Sequence, residues 1–427
     1  MPVANLPLHL RSLSLDHQAL SKILIEQENV LIIQDLDGVC MGLVNDPLTR
    51  VIEPRYIEAA KSFGRHFYVL TNGEHIGKRG VNKIVERTFQ DSNLVQEQGL
   101  YLPGLAGGGV QWQDCYGNVS HPGVSDAELA FLTAVPQHIA DCLKELGKQA
   151  KYELDANRIE AYIQATVLDN KVSPTVNLNV FHEVFRDRPK LYAHLQQEIQ
   201  KLMAQLLEQA QQKGLGDSFF VHYAPNLGRD AQGQEIMQPS QGQDSGTTDF
   251  QFMLRGAIKE VGVLVILNHY YYLHTNSYPL GKDFNARQAP RQHKALLDLV
   301  KANFDPQIMP TIVGVGDTVT SKAIENGNNL EFRRGGSDRG FLELVQAMGS
   351  EFNTGNIVAY VDSSDGEVKN RKPLPLDRSN PEELRVKEGP GDFRDTEDPL
   401  TLNIVFPGGY QQYIDLFAQA ARGRVSL

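Results

Sequence analysis

Val30-Leu31-Ile32-Ile33-Gln34-Asp35-Leu36-Asp37-Gly38-Val39 is an apolar run that stops at two aspartates one residue apart, followed by glycine. Such a run reads as a strand buried on both faces of a parallel sheet. Asp35 and Asp37 then lie just past its carboxyl end, where open α/β sheets bind ligands. Two carboxylates this close repel each other unless a cation joins them or one takes a proton. Gly38 permits a sharp turn after them.

The same texture recurs along the chain. A helix is expected over 53–63, with Pro54 in its first turn. A second apolar strand over 67–70 ends in Thr71-Asn72-Gly73. This βαβ unit has a right-handed crossover, which sets Thr71 beside Asp35 at one sheet edge. A third apolar run over 311–315 leads into Gly316-Asp317-Thr318, after an amphipathic helix over 292–302 that carries Lys294. Strands over 357–361 and 402–406 extend the sheet, and 362–399 reads as a mobile, proline-containing loop. The lead-in over 1–29 holds a helix at 17–26, and 410–421 closes the chain as a helix.

Between 106 and 285 the pattern changes. Long helices are expected at 126–146 and 191–213, a loop at 174–179, and short strands at 219–223 and 261–267. The domain reading is therefore a parallel α/β core over 1–105 and 286–427, with an inserted α+β domain over 106–285.

The chain has 427 residues, enough for two domains with a sizeable core. Three separated cysteines fit a reducing cytoplasm better than a disulfide framework. No apolar run approaches a membrane span, and 1–15 lacks a basic segment followed by an apolar one, so neither membrane nor secretion is expected. A net charge of −11 without a basic block argues against nucleic acid.

Acids and hydroxyls on three strand ends suit phosphoryl transfer to an aspartate, which splits hydrolysis into two easier steps. Asp35 is the expected nucleophile, and Asp37 the acid and base. Asp35, Asp317 and a backbone carbonyl of Asp37 are the expected magnesium ligands. Thr71, Asn72 and Lys294 are expected to hold phosphate oxygens; Lys282 and Lys301 flank Lys294 as alternatives.

D-L-D-G-V, L-T-N, a helix-borne lysine and G-V-G-D-T resemble the four motifs of the haloacid dehalogenase superfamily of phosphatases. The insert is similar to that superfamily's large α/β cap. Longer blocks (F-Y-V-L-T-N-G-E-H-I-G-K-R-G-V, Y-L-P-G-L-A-G-G-G-V-Q-W-Q-D, F-F-V-H-Y-A-P-N-L-G-R-D, D-S-G-T-T-D-F-Q-F-M-L-R-G and R-R-G-G-S-D-R) resemble the glucosylglycerol-phosphate phosphatase family over nearly the whole chain. The resemblance implies magnesium-dependent hydrolysis of glucosylglycerol 3-phosphate to the compatible solute glucosylglycerol during salt acclimation. It also implies a synthase that supplies the substrate as a partner. Asp35, Asp37, Thr71 and Asp317 match the superfamily's motif residues. Many members carry a second carboxylate a turn after the fourth-motif aspartate; here Thr318-Val319-Thr320-Ser321 follows, leaving Ser321, Asp338 or water for that role.

For the sugar, Gly73, Glu74 and His75 after the second motif, and Tyr223, Asn226, Arg229 and Asp249 in the insert, are the expected contacts. Trp112 is read either as a sugar platform or as packing. The rival readings are a sucrose- or trehalose-phosphate phosphatase of the same architecture, and a non-catalytic sugar-phosphate sensor or scaffold.

Overall fold

The computed structural model describes residues 6–155, 158–326, 329–377, 379 and 384–425. Residues 1–5 of the lead-in, and 378 and 380–383 of the 362–399 stretch, lie outside the described residues.

The chain enters through α1 (His17–Glu26), whose N-cap Asp16 accepts from the Ala19 amide, and runs into β1 (Val30–Gln34). Then α2 (Pro54–Phe63), with proline in its first turn, returns it to β2 (Phe67–Leu70). Helices α3 (Val81–Phe89) and α4 (Ser92–Glu97) precede β3 (Gly104–Ala106), β4 (Gln111–Gln113) and β5 (Val119–Ser120). The middle of the chain holds α5 (Asp126–Gly147), α6 (Ile159–Thr166), β6 (Val167–Leu168), β7 (Thr175–Asn177), α7 (Asn179–Val184) and α8 (Pro189–Gln212). It continues with β8 (Phe219–Ala224), the hairpin β9 (Asn226–Arg229) and β10 (Glu235–Met237), and β11 (Asp249–Leu254). After α9 (Lys259–Thr275) and α10 (His293–Asn303) come β12 (Thr311–Gly316) and the hairpin β13 (Thr320–Asn326) and β14 (Asn329–Gly335). The last elements are α11 (Arg339–Phe352), β15 (Ile357–Val361), β16 (Leu376–Asp377), β17 (Arg385–Val386), β18 (Ile404–Phe406) and α12 (Gly409–Val425).

An eight-stranded sheet has the order β18-β15-β12-β1-β2-β3-β4-β5. The six strands from β18 to β3 pair in parallel, and β4 and β5 turn back antiparallel. Every residue of β1, β2, β12 and β15 is buried, because helices cover both faces. Along β1 the side chains alternate: Val30 and Ile32 join a core with α2 and α12, Leu31 and Ile33 one that includes α9 to α11. At about 1.5–3 kcal/mol per buried large aliphatic side chain, these strands are among the chief sources of the fold's stability. A separate four-stranded sheet, β6-β7-β11-β8, packs one face on α5 and α8.

Two expected elements differ. Residues 261–267 form the middle of α9, not a strand. Packed against β2, β3, α10 and α11, α9 is apolar on nearly every side, so the helical period is erased. Thr175–Asn177, expected to be loop, is β7, drawn into extended form by pairing with both β11 and β6. Beyond residue 105 the large sheet still gains β4 and β5, and α9, before residue 286, packs on that sheet. The 363–374 stretch has no regular structure, yet Ser363, Val368, Asn370 and Leu374 are buried in it. Among the described residues no helix is long and apolar enough to cross a membrane.

Candidate active site

Strands β1, β2 and β12 lie side by side and end at the same sheet edge, so Asp35, Thr71 and Asp317 arrive together from three distant parts of the sequence. All three line a cavity of about 130 Å³. Two glycines make room for the acids. A Cβ on Gly38, which has φ +79°, would lie 2.2 Å from Asp317 Oδ2, and one on Gly316 would lie 2.7 Å from the Asp338 carboxylate.

Asp338 is fully buried at the start of α11. Its Oδ2 accepts from the main-chain amides of Asp317 (2.9 Å) and Thr318 (3.0 Å). Carboxylate oxygens of Asp35, Asp317 and Asp338 all lie within 4.8 Å of one another. One buried cation sits among them: Lys259 Nζ is 2.9 Å from Asp35 and 2.6 Å from Asp338. Burial alone would lower the lysine's pKa, but Asp338 and Asp35 outweigh it and hold the ammonium well above its ordinary range. The Asp35 carboxyl is pushed up to about 8: burial is the largest cause, Lys259 opposes it, and Asp338 and Asp317 add to it. Burial raises Asp317 as well, with the Arg371 guanidinium opposing. Three buried acids thus share too little positive charge, and Asp35 Oδ1 has no hydrogen-bond partner. An all-oxygen donor set with one orphaned carboxylate oxygen fits a small divalent cation.

Asp37 takes a different environment. Its carboxylate is partly exposed and is held by Arg50 Nη1 at 3.1 and 3.0 Å from its two oxygens. Arg50 is itself fixed through Nη2 on the Arg79 carbonyl (2.8 Å). Thr71 Oγ1 accepts from the Gly73 amide (3.2 Å), and amides of Gly107 and Gly108 bond the carbonyls of Gly73 and Thr71, so the glycine cluster shapes this loop.

Strand alternation sorts the expected sugar contacts. The β7–β11 register places Asn177 opposite Asp249 and Thr175 opposite Gln251. All four line the cavity with Asp35. Asn177 Nδ2 donates to Asp249 Oδ1 (2.6 Å), and Gln251 Oε1 is buried without a partner. Burial raises the Asp249 carboxyl to about 7, with Asp37 reinforcing. Tyr223 belongs to the opposite face: it sits across from Phe250 in an edge-on ring contact, and it does not line this cavity.

Several other expected contacts are structural. Glu74 borders the cavity, but its carboxylate accepts from the amides of Lys171 (3.0 Å), Val172 (2.6 Å) and Ser173 (2.9 Å), fastening the Thr71 loop to the 171–173 turn. His75 is fully buried between Gly104 and Gln113, and burial lowers its pKa to about 4. Asn226 spends its side chain on Tyr223, Gly228 and Gly336, and Arg229 faces Glu235 at 3.6 Å outside this cavity. Trp112 packs against Tyr68 and His269. Asn72 and Gly73 do line the cavity, and Asn72 Nδ2 meets His222 Nε2 at 2.8 Å. Lys294 is exposed on α10 and away from the cavity, and Lys259 stands where the sequence reading put it. Ser321 bonds Asp395 instead of the acid cluster. Arg50, Asn177, Gln251 and Arg371 carry no motif signal.

A carboxylate at the carboxyl end of a central parallel strand, with a buried lysine on it and residues of a second sheet lining the same cavity, is the site of a phosphatase. Within that class the chain belongs to the glucosylglycerol-phosphate phosphatase family, whose profile matches residues 29–421. It is 56% identical over 417 residues to the glucosylglycerol-phosphate phosphatase of Synechocystis sp., covering 98% of both chains. Among solved structures, the trehalose-6-phosphate phosphatase C-terminal domain of C. albicans aligns with 96% of this chain and 98% of its own, at 10% identity and TM-score 0.46. The trehalose-6-phosphate phosphatase of Aspergillus fumigatus aligns with 96% and 99%, at 8% identity and TM-score 0.36.

Proposed function

We propose that this protein hydrolyses glucosylglycerol 3-phosphate to glucosylglycerol and orthophosphate, in the cytoplasm, as a step of compatible-solute synthesis fed by a glucosylglycerol-phosphate synthase. The observation that carries the chemistry is the buried Asp35 carboxylate, with one oxygen on Lys259 and the other without a partner. The substrate comes from the family.

Asp35 attacks phosphorus, a P–O bond forms to its carboxylate, and the ester P–O bond breaks. Asp37 gives the departing alkoxide a proton. It then takes one from water, whose oxygen attacks the same phosphorus; the bond to Asp35 breaks, releasing orthophosphate and restoring the carboxylate. Arg50 orients Asp37 for both transfers, while Lys259 and Thr71 hold phosphate oxygens. Asp35, Asp317 and Asp338, with the Asp37 carbonyl, would hold magnesium, which supplies charge neutralisation between the acids and the phosphate. Residues 121–258 act as the cap, and the face with Thr175, Asn177, Asp249 and Gln251 reads sugar hydroxyls. Gln251 Oε1, buried on that face without a partner, gains one from a ligand hydroxyl.

Phosphate release from glucosylglycerol 3-phosphate, sucrose 6-phosphate and trehalose 6-phosphate tests the substrate. The first is expected to have the highest kcat/KM, and a preference for either disaccharide ester overturns it. Magnesium is expected to raise the melting temperature of the protein without substrate, by the equivalent of about 2.7 kcal/mol at one hundred times Kd. Asp317→Asn is expected to remove most of that rise. An equal rise in the variant would place the ion elsewhere.

A further inference from the structure

The stretch 363–374 leaves the end of β15 and is fastened at both base and tip. At the base, Ser363 Oγ donates to Asp317 Oδ2 (2.6 Å), and Asp362 closes the loop by accepting from the amides of Ser364 (3.0 Å) and Leu374 (2.7 Å). At the tip it meets the insert's turn before β11. The Lys369 carbonyl accepts from the Ser245 amide (2.9 Å), and Asn370 Nδ2 donates to the Gly246 carbonyl (3.2 Å). The next residue, Arg371, points back to the core: Nε reaches Asp317 Oδ2 (3.3 Å), Nη2 reaches Thr318 Oγ1 (2.8 Å), and Nη1 donates to Asn370 Oδ1. A guanidinium has five N–H groups, and these bonds leave two uncommitted. Arg371, Asn370 and Val368 all line the cavity that holds Asp35. The charge of Arg371 also acts on Asp249, on the insert's side of that cavity.

We infer that Arg371 is a substrate-positioning residue that donates to hydroxyl oxygens of the ester's alcohol part, and that Asn370 couples its placement to docking of the insert. The inference rests on the phosphatase reading and adds to it a third source of specificity, from neither the strand-end loops nor the cap sheet. The alcohol is a better partner than the phosphate, because Lys259 and Thr71 already serve the phosphate end. The strap is tied to the insert's 245–246 turn, close in sequence to Thr248 and Asp249 of the cavity face assigned above to the sugar hydroxyls. Rigid tethering of a planar fork costs little further entropy on binding.

Wild type, Arg371→Ala, Arg371→Lys, Asn370→Ala and the double alanine variant are compared on glucosylglycerol 3-phosphate and on p-nitrophenyl phosphate, which has no hydroxyls to read. Arg371→Ala is expected to lower kcat/KM on the sugar ester about 100-fold, and at least about 30-fold more than on the aryl ester. Lysine, a point charge with other geometry, is expected to restore less than about a tenth of the loss. Asn370→Ala is expected to split the two substrates in the same direction by about 10-fold, and the double variant to be no worse than Arg371→Ala. Equal losses on both esters, no loss on either, or additive effects of the two alanines would overturn the proposal. Should wild type hydrolyse the aryl ester but not glucosylglycerol 3-phosphate, the substrate assignment fails instead, and the comparison is read on the sugar ester that wild type prefers. Among the described residues the side chain of Asn370 bonds Gly246 and Arg371 and not Asp35, Lys259 or Asp338, so its variant gives the reading even where Arg371→Ala folds poorly.

Discussion

Asp35→Asn is expected to reduce phosphate release by about four orders of magnitude or more, leaving the fold intact. The amide matches the carboxylate in shape, and β1 keeps its buried side chains on both faces of the sheet. What disappears is the anion that attacks phosphorus, and no other carboxylate replaces it. Asp338 is committed to the amides of Asp317 and Thr318, and Asp317 to Ser363, Thr318 and Arg371. Steady-state release of phosphate, with circular dichroism as the fold control, checks this. Activity within about tenfold of wild type would mean a different nucleophile.

The second large effect concerns Lys259. Replacing it by methionine keeps much of the volume but leaves Asp35 and Asp338 as buried charges without their cation. Breaking a buried pair from one side costs about 3–5 kcal/mol, so the metal-free variant is expected to unfold at markedly lower denaturant. Turnover is expected to fall about a thousandfold, because the ammonium no longer meets charge developing on the phosphate. Lys294→Ala serves as the counterpart: an exposed helical lysine outside the cavity is expected to change stability by less than about 0.5 kcal/mol and to leave kcat/KM as it was. Inactivity of Lys294→Ala alongside an active Lys259→Met would return the role to the amphipathic helix.

Why the sequence pointed to Lys294 is a matter of period. A lysine opening an amphipathic helix is conspicuous, whereas α9 is buried on almost all sides and shows no stripe. Without a polar stripe, 261–267 has the pattern of a strand, and no helix start marks Lys259. The acids were legible for the opposite reason. Val30–Gln34, Phe67–Leu70 and Thr311–Gly316 are unbroken buried runs, and each hands over to polar residues at its carboxyl end. Asp338 was within reach only through its glycine-rich approach, Gly335-Gly336-Ser337, since the hairpin and turns of residues 317–337 separate it from β12 in the chain.

In the insert, the apolar run at 219–223 marks a strand, β8, but not which face each residue takes. Tyr223 and Asp249 were equally plausible as sugar contacts, and a period of two along paired strands puts them on opposite faces. Glu74 and His75 follow the second motif and are polar, yet burial turns them to backbone amides and core amides respectively. Arg371 left no trace in any pattern. Its place depends on hydrogen bonds between an irregular strap and a turn more than a hundred residues away, which no local period records.

The most direct test is a crystal structure of the protein grown with magnesium. One ion is predicted in the acid cluster, about 2.0–2.1 Å from carboxylate oxygens of both Asp35 and Asp317, with Asp338 beside it. An active protein whose bound magnesium lies away from Asp35 and Asp317 would contradict the account.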